Sequence, residues 1–339
     1  MMLSARVGSR AARSAVGVIL KSTFPSVSRG RYVSRDISTS STWSSQSRET
    51  PPTPQKMPPN STKGQDSKPQ PSTSVTKQKL PEFDLSGKVV LISGGGRGLG
   101  LSQAEAVLEA GATVYALDRL EEVSPEFKAV QARAENELGT ALHHHRVDVT
   151  NVPELNRVVE EISLEHGRLD GLIAAAGVQQ ETPALEYTFE DANRMFLINI
   201  TGVFMTAQAV AKQMIKHGNG GSIVLIGSMS GTVVNRGLIC PAYNTSKAGV
   251  LQLARSLAAE WGEYNIRVNT LSPGYIVTKM VEMLFEEFPE REHEWPEQNM
   301  LGRLSKPQEY RGAAVFLLSN ASSFMTASDL RMDGGHSAW

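Results

Sequence analysis

The chain has 339 residues, room for one large domain or two small ones, and its 34 Lys and Arg against 35 Asp and Glu leave a formal net charge of −1. So even a balance supplies no bulk field to recruit nucleic acid or an anionic membrane, and partners must be recognised locally. One cysteine, Cys240, excludes an internal disulfide, and no uninterrupted apolar run reaches the roughly 18 to 20 residues of a membrane span.

The first stretch carries Arg6, Arg10, Arg13, Lys21, Arg29, Arg31 and Arg35 among many serines, with no acid before Asp36. That composition predicts a mitochondrial transit peptide over residues 1–47 and a soluble matrix protein, while Val16, Val18, Ile19 and Leu20 are too few for a secretory core. Residues 48–82, with Pro51-Pro52-Thr53-Pro54 and Pro58-Pro59, bury too little apolar surface to offset chain entropy and are expected as a disordered Pro/Ser-rich linker. The folded catalytic domain then spans 83–339.

Lys88-Val89-Val90-Leu91-Ile92-Ser93 reads as a strand that runs into Gly94-Gly95-Gly96-Arg97-Gly98-Leu99-Gly100, after which helical periodicity resumes through Ala104, Val107 and Leu108. Strand, glycine turn and helix together present free N–H groups and positive dipole to a pyrophosphate. A second strand over 111–118 ends in Asp118, about twenty residues beyond the glycines, where a carboxylate can hold the adenosine ribose hydroxyls and repel a 2′-phosphate. That favours NAD; Arg97 and Arg119, able to clamp a phosphate, keep NADP open. A third strand over 141–147 leads to Asp148-Val149. His143-His144-His145 lie on it, and neighbours on a strand point to opposite faces, so no metal site is expected. The fourth strand, 171–175, ends in Ala176-Gly177, and the alternation of strands and helices predicts a single Rossmann-type α/β fold, a doubly wound parallel sheet with helices on both faces.

Thr188-Phe189-Glu190-Asp191 looks like a capping box opening a helix to about His217, with Asn199 as a polar residue inside it. The next strand, 222–226, delivers Ser228 to the same sheet edge as the glycine turn. Tyr243 and Lys247 follow one helical turn apart, on one face. A free phenol is only about 0.1 % ionised at pH 7, and lowering its pKa from near 10 to about 7 through a neighbouring ammonium corresponds to roughly 4 kcal/mol. Such a tyrosine can exchange a proton with an alcohol oxygen. A sixth strand over 266–271 and a last one around Leu330-Arg331-Met332 complete the set.

Taken together, Ser93-Gly94-x-x-x-Gly98-x-Gly100, Asp118, Asp148, Asn199, Ser228, Tyr243-x-x-x-Lys247, Arg267-Val268-Asn269, Pro273-Gly274 and Asp333-Gly334-Gly335 resemble the short-chain dehydrogenase/reductase superfamily over about residues 85–335. One departure is Ala174-Ala175-Ala176-Gly177 where the family has Asn-Asn-Ala-Gly, which removes side-chain bonds bracing the fourth strand. The resemblance implies Tyr243 as general acid/base and Lys247 as the holder of the nicotinamide ribose that depresses the tyrosine pKa. It implies Ser228 as the group polarising the substrate oxygen, and Asn199 as the anchor of a relay water. The cofactor would lie on Gly94, Arg97, Gly98, Leu99, Gly100, Asp118, Asp148, Val149, Ala175, Gly177, Tyr243, Lys247, Pro273, Gly274, Ile276 and Thr278. No metal is needed.

The segment beyond Thr278, roughly 279–300, is rich in glutamate and poor in cations, which suits a neutral substrate better than phosphopantetheine or acyl-CoA. Ser228-Met229-Ser230-Gly231 and Ser272-Pro273-Gly274-Tyr275-Ile276 are similar to the fungal-type polyol dehydrogenases and ketose reductases, implying a small neutral polyol or 2-ketose. A 3-oxoacyl or other carbonyl reductase, and a nucleotide-binding protein without turnover, are the alternatives. A further apolar helix face, Val250, Leu253, Leu257 and Trp261, is expected to pack against a second copy across a two-fold axis, and family likeness implies a homotetramer whose second interface would use the last strand around Leu330-Arg331-Met332 and the carboxyl end; no nucleic acid or membrane partner is expected.

Overall fold

In the computed structural model, which describes residues 80–339, the chain is organised by seven short strands whose side chains alternate between two apolar layers. The leader and most of the linker expected before Phe83 lie outside the described residues. The strands are β1 Val89–Ser93, β2 Thr113–Asp118, β3 Leu142–Arg146, β4 Gly171–Ala174, β5 Gly221–Ile226, β6 Ile266–Pro273 and β7 Asp329–Met332. All pair in parallel, in the order β3-β2-β1-β4-β5-β6-β7. The helices are α1 Gly98–Glu109, α2 Pro125–Arg133, α3 Val152–His166, α4 Phe189–Phe196, α5 Val203–His217, α6 Pro241–Trp261, α7 Lys279–Glu287, α8 Glu290–Glu297 and α9 Arg311–Leu318.

Because side chains alternate along a strand, Leu91, Leu117, Leu172 and Leu225 meet α3, α5 and α6 on one face, while Ile92, Ala116, Ile173 and Val224 meet α1 and α9 on the other. Each such leucine or isoleucine, fully removed from water, contributes about 1.5–3 kcal/mol. Helix ends follow local chemistry. Ser124, Asn151 and Thr188 accept from backbone N–H groups at the starts of α2, α3 and α4, each cap contributing about 1 kcal/mol, and Gly167 and Gly218 end α3 and α5 in the left-handed region that their missing Cβ allows.

One expectation is corrected. Val250 and Leu257 face the chain's own core, fully buried against β-strand leucines and α5, so they are not available to a second copy; only Leu253 and Trp261 of that set are partly exposed. The helical stretch Phe189–His217 is long and apolar enough by length and composition to cross a membrane, although half of its most apolar window is buried within the fold, as for a core helix. Interrupting polar residues hide that stretch from a search for unbroken apolar runs. The three histidines behave as the strand geometry requires: His143 and His145 lie against Tyr115, at 4.6 and 5.7 Å between ring centres, and His144 lies edge-on to Phe127. Among the described residues no group of His, Cys, Asp or Glu is arranged to hold a metal ion.

Candidate active site

The strand order reverses at β1, which has β2 on one side and β4 on the other, and ligand crevices in doubly wound sheets open at such a reversal, beyond the strands' carboxyl ends. Gly94 leaves β1 there with φ +69°, and a Cβ on it would come within 2.8 Å of the Ala176 nitrogen. A Cβ on Gly100 would lie 2.2 Å from the Gly94 carbonyl oxygen, so the loop closes on itself only because Gly100 lacks one, and it lies against the end of β4 only because Gly94 does. Gly98, by contrast, faces open space and starts α1, whose N-cap residue Arg97 makes no side-chain cap. The first-turn amides of α1 are therefore left for a ligand.

Beside the loop the Asp118 carboxylate accepts from Gly96 N–H at 3.0 Å and from Leu120 N–H at 3.2 Å, which fixes it at the tip of β2. Asp148 accepts from the Thr150 N–H and hydroxyl at 2.9 and 2.7 Å; those bonds, with help from Arg119, hold its carboxyl below the usual range. A cavity of about 350 Å³ adjoins it, lined by Arg119, Arg146 and Asp148 among others. Leu99, Ala175 and Ile276 are partly buried and pack on one apolar layer. A glycine cradle without room for a Cβ, an uncapped helix start and a fixed carboxylate fit a dinucleotide.

At the end of the fourth strand, where the asparagines are missing, the contacts come from β1. Ser93 accepts from Ala175 N–H through its carbonyl at 3.0 Å and lies 3.5 Å from the Ala176 nitrogen through its hydroxyl.

Ser228 stands just beyond β5 in extended backbone, its oxygen accepting from Ser230 N–H at 3.1 Å, and its hydroxyl is close enough to Tyr243 to act on the phenol's pKa. Pro241 occupies the first turn of α6, where its missing N–H costs nothing, and Tyr243 and Lys247 follow on one face. Lys247 is 6 % exposed, donates from Nζ to the Ile226 carbonyl at 2.8 Å and lies 5.7 Å from the centre of the Tyr243 ring. Gly177 completes the group: a Cβ there would lie 3.3 Å from Asn199 Oδ1 and 3.8 Å from Lys247 Nζ. The fold thus gathers residues that follow β4 and β5, with others from α6 and the turn before α5, around one point.

The electrostatics differ from what the Tyr243–Lys247 spacing suggests. Burial raises the Tyr243 pKa above its ordinary value, more than the Ser228 hydrogen bond lowers it, and burial pulls Lys247 down to about 8. Burial works against the depression of the phenol that the spacing suggests, because desolvation penalises both charged forms and Lys247 Nζ is turned to a carbonyl.

The Asn199 side chain carries structural bonds of its own. It sits in a π-helical turn, Leu197–Gly202, joining α4 to α5, and is fully buried. Its Oδ1 accepts from Val178 N–H at 2.9 Å, while Nδ2 donates to the Val178 carbonyl at 2.9 Å and to Ser246 Oγ at 3.0 Å. The amide is a brace between the β4 edge and α6, so a relay water would have to be held by main chain. Ser246, which also donates to the Tyr243 carbonyl at 2.7 Å, goes unnoticed in the sequence because a serine between Tyr and Lys carries no pattern of its own.

On the far side, Pro273 ends β6, and Gly274 is forced by Asp333, whose Cα would lie 2.8 Å from an added Cβ. Thr278 caps α7 through Oγ1, accepting from Val281 N–H at 3.4 Å, and its hydroxyl proton remains available. Tyr275 stacks on Trp295 with ring centres 4.2 Å apart, and both pack with Leu238, Cys240 and Tyr243. Sequence pattern does not reveal this aromatic wall; its only signal is a tryptophan inside an acidic helix.

Known proteins share this arrangement of elements. A family described as "Enoyl-(Acyl carrier protein) reductase" matches residues 94–337. D-arabinitol 2-dehydrogenase [ribulose-forming] of Candida albicans is 36% identical over 271 residues, covering 77% of this chain and 96% of that protein. NADH-dependent L-xylulose reductase of Ambrosiozyma monospora is 34% identical over 268 residues, covering 77% and 98%. Among solved structures, a gluconate 5-dehydrogenase from Burkholderia cenocepacia in complex with NADP and tartrate superposes with a TM-score of 0.70 at 32% identity, covering 77% of this chain and 99% of that one.

Proposed function

The chain belongs to the short-chain dehydrogenase/reductase family, acting on CH–OH groups with NAD or NADP, and we propose that it interconverts a sugar alcohol of the arabinitol or mannitol type with its 2-ketose. The observation that carries the reading is the convergence of Ser228, Tyr243 and Lys247 beside Gly177, at the mouth above the glycine turn. In reduction the protonated Tyr243 hydroxyl gives its proton to the carbonyl oxygen, and in oxidation the ionised phenolate receives the alcohol proton. Ser228, beside that hydroxyl, would donate to and position the same substrate oxygen. Hydride exchange at the carbinol carbon is what a nicotinamide supplies when bound.

The polyol reading is supported by the arabinitol and xylulose relatives and by the chemistry of the cover. The cover's Lys279 and Arg291 are both neutralised, by Glu126 and Glu181 respectively, leaving neither free to greet a phosphopantetheine phosphate as a 3-oxoacyl reductase would require. NAD is the preferred cofactor on this reading, because Asp118 is fixed where a 2′-phosphate would meet it; Arg119 and Arg146 nearby support NADP as the second choice. Mitochondrial import is proposed from the basic, acid-poor composition of residues 1–47, with the folded domain from 83 onward. A homotetramer is proposed from family likeness alone.

Purified protein incubated with pentitols and hexitols, with absorbance of the reduced cofactor followed for NAD and NADP in parallel, tests the function. Turnover of at least one polyol is expected; none on any of them rejects the substrate class. Light scattering on the eluting protein tests the assembly, and a monomer rejects it.

A further inference from the structure

Arg291 on α8 and Glu181 in the segment between β4 and α4 are 110 residues apart and form a two-pronged ion pair, each guanidinium nitrogen donating to its own carboxylate oxygen at 2.8 Å. The pair is not an ordinary surface contact. The Arg291 side chain is 12% exposed and that of Glu181 28%. The guanidinium lies 4.2 Å from the centre of the Phe288 ring and 5.6 Å from that of Trp295, so aromatic faces replace most of its water.

Both partners are tied to the catalytic wall. Thr182 N–H donates to the Ile239 carbonyl at 3.1 Å, which sets Glu181 beside the residues that lead into α6 and Tyr243. Trp295, under Arg291, stacks on Tyr275, and Tyr275 packs in one cluster with Tyr243, Leu238 and Cys240. Burial first, and the Glu181 charge second, push the Cys240 thiol up to about 11, so that carboxylate is felt at the wall. The other members of the cluster, Val281, Leu284, Phe285 and Leu304, carry no charge.

We propose that Glu181 and Arg291 set the charge specificity of the substrate site: Glu181 masks Arg291, so the site accepts uncharged polyols and rejects the corresponding aldonates. A guanidinium surrounded by aromatic rings and deprived of its carboxylate is costly, and a substrate carboxylate of the same geometry is the natural replacement. Glu181→Gln keeps the shape and removes the charge. The inference rests on the polyol reading, and its test is built to separate the two.

For wild type, Glu181→Gln and Glu181→Gln/Arg291→Leu, kcat/KM is measured on a hexitol and on gluconate, and binding of labelled gluconate is measured by equilibrium dialysis on the full chain with reduced cofactor. Glu181→Gln should raise the gluconate-to-hexitol ratio at least tenfold and show saturable gluconate binding, and the added Arg291→Leu should abolish both. Arg291→Leu alone exposes the carboxylate instead and should raise the preference for 1-amino-1-deoxyglucitol over the hexitol at least tenfold, which decides the matter if Glu181→Gln does not fold. No gain for gluconate in the first variant and none for the amine in the second overturns the proposal while hexitol turnover leaves the polyol reading standing. Wild type inactive on every polyol rejects that reading, and dialysis still decides the ion pair.

Discussion

Lys247 donates from Nζ to the main-chain carbonyl of Ile226 at 2.8 Å, so the catalytic-face lysine of α6 is anchored to the end of the strand that delivers Ser228. The anchor holds three of the converging groups in register: Ser228 two residues beyond Ile226, and Tyr243 one turn before Lys247.

That anchoring has a pH signature. Burial lowers Lys247 to about 8 from an ordinary 10.5, so between those values the unfolded chain binds more protons and stability rises with pH; below about 8 the penalty is fully present. Lys247→Met removes the titration, although it leaves the Ile226 carbonyl unpaired. The variant should lose its advantage, or widen its deficit, relative to wild type by about 2–3 kcal/mol between pH 7 and pH 10. Urea unfolding at several pH values measures this, and parallel pH profiles for the two proteins contradict it. Tyr243, whose pKa is raised, acts in the opposite sense only above about pH 10.

Tyr243→Phe removes the acid while keeping the ring in its apolar cluster. Steady-state kinetics should show kcat down by about 10²–10⁴, with the fold kept by circular dichroism. Ser228→Ala should cost about 10²-fold in kcat, since it removes one positioned hydroxyl. Full activity in Tyr243→Phe would place the proton transfer on another group.

Asp118→Asn removes the charge facing a 2′-phosphate and keeps an acceptor for the Gly96 or Leu120 N–H. With Arg119 and Arg146 lining the adjacent cavity, the ratio of kcat/KM for NADP over NAD should rise about 10–100-fold, equivalent to roughly 1.4–2.8 kcal/mol. An unchanged ratio places cofactor discrimination elsewhere.

Asn199→Ala strips the brace from Val178 and Ser246 and leaves buried donors and acceptors unpaired. Thermal and urea unfolding should show a loss of about 2–4 kcal/mol, since more than one buried group is orphaned. A loss below about 0.5 kcal/mol shows that the α4–α5 turn relaxes to satisfy them.

The sheet was legible in the chain, because strand-length apolar runs, a glycine turn and capped helices are local patterns: β1, β2, β4, β5 and β6 fall where runs of Val, Leu, Ile and Ala put them. Which residues could meet was legible too, since Gly94 and Ser228 each follow the end of a strand while Tyr243 and Lys247 share a helix face. Charge states and partners required the folded arrangement. Desolvation depends on what closes over a group, so burial raises Tyr243 and lowers Lys247 where helix spacing alone suggests an activated phenol. Pairings such as Ser93 with the β4 edge, Asn199 with Val178 and Glu181 with Arg291 join residues far apart in the chain, and no local periodicity encodes them.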